Sequence, residues 1–266
     1  MTRLLIGLFI IFLISSCQNL PENWNLRKEK KEYVREFYPS GKLKSLNEAV
    51  GDKRHGVCKY YYETGELQAI AHFHMNQHHG EHISYYRDGT IRSKLNYEYN
   101  KKQGEAYGYY ENGNLYTLET YDGGKLNGPK KKYWENGKLM MENTFLNGKP
   151  SIHLKEYDEK GRLITNYPKL NIVPENTLFY HNTYKLNIYF DNKSVKNKYY
   201  VDDLVEGGYL PEYCIPLQIR NGIGEYKVTV YQGQVVMRAI TVIGEMKTKL
   251  GHTRIVSREY NLAIKH

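Results

Sequence analysis

No apolar run in this chain is long enough to cross a bilayer as a helix. The longest, Leu4 to Ile14, is 11 residues, against roughly 20 needed. Cysteine is scarce, with three in 266 residues, too few for a disulfide framework. Proline is thin at 8, and 40% of residues are hydrophobic, which excludes a collagen-like chain or a low-complexity tail. There is no Gly-x-Ser-x-Gly elbow, no phosphate loop and no His-Glu-x-x-His pair, so no local motif for nucleophilic, phosphoryl-transfer or zinc chemistry is present. Acidic residues number 29 against 38 basic ones, for a net charge of +9. That surplus favours an anionic membrane surface, glycan or acidic partner without choosing among them.

The first residues are organised as an export signal. Met1-Thr2-Arg3 is basic, Leu4 to Ile14 apolar, and Ser15-Ser16 small, so 1–16 reads as a cleaved segment. Ile14-Ser15-Ser16-Cys17 resembles the lipobox of bacterial lipoproteins. The resemblance implies diacylglycerol on the Cys17 thiol, an acylated (palmitate-type) amino terminus and anchorage to a cell-envelope membrane, outer or cytoplasmic. The alternative is an ordinary signal with a coincidental cysteine. Residues 17–32, rich in Asn, Glu and Lys, read as a tether. Export disfavours a nucleic-acid partner. Cys58 and Cys214 remain, and both a pair and two separate thiols fit an oxidising compartment.

The dominant feature is periodic. Gly41, Gly65, Gly89, Gly113, Gly137 and Gly161 recur at intervals of 24 residues. Four residues before each stands Phe37, Tyr61, Tyr85, Tyr109, Tyr133 or Tyr157, and two after it Leu43, Leu67, Ile91, Leu115, Leu139 or Leu163. Eight residues after it come Phe73, Tyr97, Tyr121 and Phe145, with Ala49 and Lys169 in the end copies. Asp88, Asn112 and Asn136 precede the central glycines, a hairpin signal in which glycine accepts the positive φ of the turn. A second glycine follows fifteen residues later at Gly56, Gly80, Gly104 and Gly128. It is read as a second turn, which places His78 and His79 in a turn. The same register puts the fifth copy's turn at Ile152, where Gly148-Lys149-Pro150 marks a distorted connection. Each period is two short strands that must stack on their neighbours, because one hairpin buries little.

Tyr-Tyr-Glu-Asn-Gly113-Asn-Leu, with its relatives around Gly89 and Gly137, resembles the variant MORN repeat over residues 33–167; some proteins with that repeat carry the label of YwqK-like antitoxin. The resemblance implies an antiparallel β-meander used as an accessory or scaffold module, and no catalytic residue travels with it. An antitoxin role sits poorly with an exported lipoprotein and is not carried over.

Beyond Leu163 the period ends, and Asn166-Tyr167-Pro168 reads as a linker into 168–266. Alternation in Tyr184-Leu186-Ile188-Phe190, Tyr226-Val228-Val230 and Val235-Met237-Ala239 predicts strands, with Asp191-Asn192, Asn221-Gly222 and Gln232-Gly233 as turns and Tyr231 to Gln234 as a tight hairpin. The expected fold is all-β: a repetitive antiparallel meander followed by a small β-sandwich-like domain. The rival is an extended cap that continues the repeat sheet.

For chemistry, His55, His72, His74, His78, His79 and His82 are the tempting group, since imidazoles bind zinc or copper. They occupy variable repeat positions, so local composition is preferred and no metal, cofactor or catalytic residue is assigned. The aromatic row Tyr62, Tyr86, Tyr110 and Trp134, together with Lys130 and Lys132, is the candidate binding surface. Alternation alone leaves open which aromatic row is buried, and lysines also serve simply to protect a sheet face. The expected function is a membrane-anchored binding or scaffold lipoprotein facing an envelope protein or glycan. The alternatives are a cell-envelope hydrolase acting on glycan or peptidoglycan, marked by a deep polar cleft with a close His–carboxylate or paired-carboxylate site, and a structural spacer.

Overall fold

The computed structural model describes residues 31–266. The export segment 1–16, Cys17 and the tether up to residue 30 lie outside the described residues. Glu32, assigned above to the tether, instead opens the first strand.

Twelve strands form one antiparallel sheet in sequence order. They are β1 Glu32–Phe37, β2 Leu43–Val50, β3 Lys53–Tyr61, β4 Leu67–His74, β5 Gln77–Tyr85, β6 Ile91–Glu98, β7 Lys101–Tyr109, β8 Leu115–Asp122, β9 Lys125–Tyr133, β10 Leu139–Leu146, β11 Lys149–Pro150 and β12 Lys155–Glu156. Each period glycine closes a three-residue hairpin loop. The Gly65 N–H donates to the Tyr62 carbonyl, the Tyr62 N–H to that of Glu66, and the same pair of bonds recurs at Gly41, Gly89, Gly113 and Gly137. The glycines have φ between 81° and 108°, the left-handed position that ends such a loop and starts a bulge. Asp88, Asn112 and Asn136 accept from the N–H two residues on, which is why Asp or Asn precedes glycine.

The second glycine is not a turn. Gly56, Gly80, Gly104 and Gly128 lie inside β3, β5, β7 and β9, and the turns fall earlier, at residues 51–52, 75–76, 99–100 and 123–124. Met75 and Asn76 have φ of 48° and 68°, and Tyr99 and Asn100 45° and 67°, so non-glycine residues fill left-handed positions there. His78 and His79 therefore belong to β5. The strand glycines sit in bulges facing the aromatic of the following strand, as Gly56↔Phe73, Gly80↔Tyr97, Gly104↔Tyr121 and Gly128↔Phe145. Two periodicities of the sequence are thus one cross-strand register.

In the fifth copy the turn is regular, at Asn147 and Gly148 with φ of 51° and 85°. The distortion comes after it. Ile152 stands where earlier copies have the bulge glycine, and the chain leaves the ladder after Pro150 and rejoins β10 only at Lys155. The excursion carries the Ile152 N–H to the Gly208 carbonyl.

Beyond the array, β13 Leu170–Thr177, α1 Leu178–His181, β14 Thr183–Phe190, β15 Lys198–Val201, β16 Ile219–Arg220, β17 Ile223–Thr229, β18 Val235–Lys247 and β19 Thr253–Lys265 follow. They make a four-stranded sheet, β13-β14-β17-β16, and a three-stranded one, β15-β18-β19. Leu186, Ile188 and Phe190 of the first pack with Tyr199, Val242 and Leu262 of the second in one core, so the region is a sandwich. Neither sheet continues the array ladder. Tyr231 to Gln234 is a turn, with the Gln234 N–H on the Tyr231 carbonyl, but it carries the chain from one sheet to the other. The expected tight hairpin of β17 on β18 is absent because β17 pairs with β14.

Candidate functional site

The row proposed as a binding surface has its polar atoms engaged. The hydroxyls of Tyr38, Tyr62, Tyr86 and Tyr110 donate to the carbonyls of Tyr61, Tyr85, Tyr109 and Tyr133 at 2.7, 2.8, 2.7 and 2.8 Å. Trp134 Nε1 repeats the bond to Tyr157 at 3.1 Å. Each rung spans 23 residues, tying one turn to the next. The opposite rim is tied through its backbone: the N–H groups of Asn76, Asn100, Gly124 and Gly148 donate to the carbonyls of Arg54, His78, Lys102 and Leu126. Asn76 and Asn100 also accept the N–H of Arg54 and His78. The array is fastened along both rims.

Lys130 and Lys132 also have partners within the array. Lys130 Nζ is 2.6 Å from Glu119, with both side chains largely covered, and Lys132 Nζ lies 5.2 Å from the centre of the Tyr116 ring. Burial pushes the Glu119 carboxyl up, but the bonds from Lys130 and Tyr121 outweigh it and hold the group below its ordinary range.

The two broad faces differ. One carries the transverse row Asn47, Cys58, Ala71, His82, Leu95, Ala106, Glu119, Lys130 and Asn143, of which Asn47, Cys58, Ala71 and Asn143 are buried. The β18–β19 hairpin sits against its far end, where Lys130, Met141 and Phe145 face Gly251 and His252 across a cavity of about 230 Å³. The other face carries Leu46, Lys59, Ile70, Ile83, Lys94, Tyr107, Leu118, Lys131 and Glu142, each paired with the next across the strands. None of these nine is buried. Apolar side chains spaced by lysines are partly exposed on this face. Alternation alone did not isolate the row.

The histidines divide into two groups. His78 and His82 stack with ring centres 5.6 Å apart and planes within 2°, beside Phe73 and Tyr97. Burial lowers both pKa values, helped by Arg54 at His78 and by His78 at His82, so they pack as neutral rings. His55, His74 and His79 neighbour one another at 5.0 and 6.1 Å between ring centres. His72 Nδ1 meets the Glu81 carbonyl at 2.8 Å. Among the described residues no three His, Cys, Asp or Glu side chains converge to hold a metal ion. Cys58 and Cys214 are both free, and burial lifts each thiol to about 11, with the Asp202 hydrogen bond adding to this at Cys214.

One polar cluster was not visible in sequence. Glu156 of β12, 1% exposed, accepts from Tyr167 Oη at 3.0 Å and Thr248 Oγ1 at 2.7 Å, and bonds to His252 Nδ1. Arg254 lies over the Tyr167 ring at 3.9 Å. Burial pushes the Glu156 carboxyl up, but the bonds from His252, Thr248 and Tyr167 outweigh it and lower its pKa. Beside it Ile164, Tyr167, Met246 and Leu250 line a cavity of about 370 Å³. The cluster joins the last repeat, the linker and the β18–β19 turn. Its members are 11, 92 and 96 residues from Glu156, so no local spacing announces it.

Fold and rims together define a β-repeat protein with a sandwich joined to one end of the array. The MORN repeat variant family matches residues 54–75, 79–99, 102–122 and 126–147, so these four segments, the hairpins β3–β4, β5–β6, β7–β8 and β9–β10, are MORN repeat variants. No curated protein matches the chain. Among the described residues no helix is long and apolar enough to cross a membrane.

Proposed function

We propose that this chain is an exported, lipid-anchored binding or scaffold protein. Cys17 carries the anchor to a cell-envelope membrane, and the array presents its open face to an envelope protein or glycan. The observation that carries the reading is the open-face row: Ile70, Ile83, Tyr107 and Leu118, spaced by Lys59, Lys94 and Lys131, span the array with none of them buried. Both rims are hydrogen-bonded independently of that face, and although Lys94 pairs with Glu81 and Tyr107 donates to Glu105, its apolar side chains remain partly exposed for a partner. The basic surplus of the chain suits an acidic one.

Membrane fractionation of Cys17→Ala tests the anchor: release from washed membranes is expected, and retention would sink that part of the proposal. Capture of partners from detergent-solubilised envelope, with Ile83→Ser/Tyr107→Ser beside the unaltered chain, tests the face. These replace Tyr86, Tyr110 and Trp134 as informative positions, because altering those removes turn-to-turn bonds.

The His252–Glu156 contact beside a cavity favours a second reading, a hydrolase of glycan or peptidoglycan, since a carboxylate on Nδ1 fixes an imidazole as a base. His252 Nε2 has no hydrogen-bond partner among the described residues, so no nucleophile is engaged there. Incubation with purified peptidoglycan separates the readings: fragments released by the unaltered chain and lost in Glu156→Gln would favour the hydrolase.

A further inference from the structure

We propose that the loop tip of the sandwich farthest from the array docks on an anionic lipid bilayer, seating Phe179 and Tyr180 among the headgroups, independently of the Cys17 anchor. Three segments build the tip: α1 after β13, the turn at 231–234 after β17, and the end of β19. They are fastened together. The Val230 N–H donates to the Asn182 carbonyl, the Gly233 N–H to that of His266, and the His266 N–H to that of Gln234, while His266 Nε2 meets Asn182 Oδ1 at 2.7 Å. The β18–β19 turn that meets Glu156 lies at the other end of its hairpin, 13 residues of strand away, or about 40 Å. The array therefore leaves the tip uncovered.

Phe179 is 88% exposed, Tyr180 79%, Tyr231 61% and Val235 57%, and the Phe179 and Tyr180 rings meet edge to face at 5.0 Å between centres. Isolated exposed apolar side chains are ordinary, but four on adjoining loops make a patch that calls for a partner. The charge around the patch identifies a lipid surface as the occupant. Segments 176–190, 226–244 and 260–266 contain no Asp or Glu and carry His181, Lys185, Lys227, Arg238, Lys265 and His266. Glu175 and Glu225, just outside them, are paired with Lys185 and Lys227 at 2.8 and 3.1 Å. Lys265 stands opposite Val235 in the β18–β19 ladder, at the border of the patch and in reach of a headgroup phosphate. Protruding aromatic rings with a basic border and no acidic side chain are the composition that settles in a bilayer interface. The Leu178 N–H donates to Asn176 Oδ1 and the Tyr231 N–H to Gln234 Oε1, so fewer backbone groups lose water on entry.

Flotation with vesicles tests this, using the chain from residue 17 with Cys17→Ser, which keeps every strand described above and has no thiol to lipidate at the anchor position. Binding to phosphatidylglycerol–phosphatidylethanolamine vesicles is expected, and weaker binding to phosphatidylcholine alone. Phe179→Ser/Tyr180→Ser should weaken binding to the anionic vesicles about tenfold or more, and Lys265→Gln about fivefold, with circular dichroism confirming that both variants keep their sheets. The open face of the array is also basic, so the contact is located separately. Phe179→Trp on vesicles with brominated acyl chains should show quenching beyond that of Trp24 and Trp134 in the parent chain. No flotation, flotation indifferent to Phe179→Ser/Tyr180→Ser, or no added quenching would overturn the proposal. A lipid-free oligomer in sedimentation velocity that the same double variant dissolves would also overturn it, because a second copy would then cover the patch.

Discussion

At the residue scale the molecule turns on what each tyrosine does. The period count shows adjacent aromatic positions before the first five glycines but not their roles, because a hydroxyl reaching a carbonyl 23 residues ahead leaves no trace in spacing. The second position of each pair supplies the rung, so Tyr86→Phe keeps the ring and removes one bond to the Tyr109 carbonyl. A loss of about 1 kcal/mol in urea unfolding is expected; no change would mean that the rung contributes nothing. The thiols give a second test. With pKa values raised to about 11, Cys58 and Cys214 are neutral near pH 7 and should resist a thiolate-specific reagent until urea unfolds the chain. Fast labelling of Cys58 in the folded protein would contradict its burial.

At the element scale glycine carries two jobs that look alike in sequence. The period glycines end hairpin loops, and those fifteen residues later relieve bulges. Reading the second set as turns failed because the actual turns are not marked by one recurring residue: Gly51 and Gly123-Gly124 alternate there with Met75-Asn76 and Tyr99-Asn100, where Met and Tyr seldom adopt positive φ. The bulge glycines also differ among themselves. A Cβ on Gly80 would lie 3.1 Å from His72 Cβ and one on Gly128 3.2 Å from Thr120 Cβ, whereas Gly104 has nothing within 4 Å. Gly104→Ala should therefore show only left-handed strain, about 1 kcal/mol. Gly80→Ala and Gly128→Ala should lose more, since a cross-strand side chain must move as well. Equal melting temperatures for the three variants would refute the distinction. The meander itself was legible because alternation, glycine and Asx signals coincide in the same hairpins.

At the scale of the whole molecule the array and the sandwich are joined at Glu156, and this was the least legible feature: its partners come from the linker and from a turn 92 to 96 residues away. Glu156→Gln keeps shape but removes the carboxylate that Tyr167, Thr248 and His252 bond to, and a cost of about 2 kcal/mol is expected, read by thermal unfolding and by cleavage between β12 and β13. The pH dependence follows from the lowered pKa of Glu156. Its contribution is complete above the ordinary carboxylate range and is lost as pH falls through the depressed folded value. Acid should therefore expose the linker to an acid-active protease in the native chain, and Glu156→Gln should remove much of that pH dependence. A linker equally protected at low and neutral pH would contradict the assignment.

The central claim, that the open face of the array is the working surface, is tested most directly by capture from solubilised envelope with the unaltered chain and Ile83→Ser/Tyr107→Ser side by side. A partner retained by the first and lost by the second, with both folded by circular dichroism, is the expected result. Equal retention by both, or nothing retained by the unaltered chain, would contradict it.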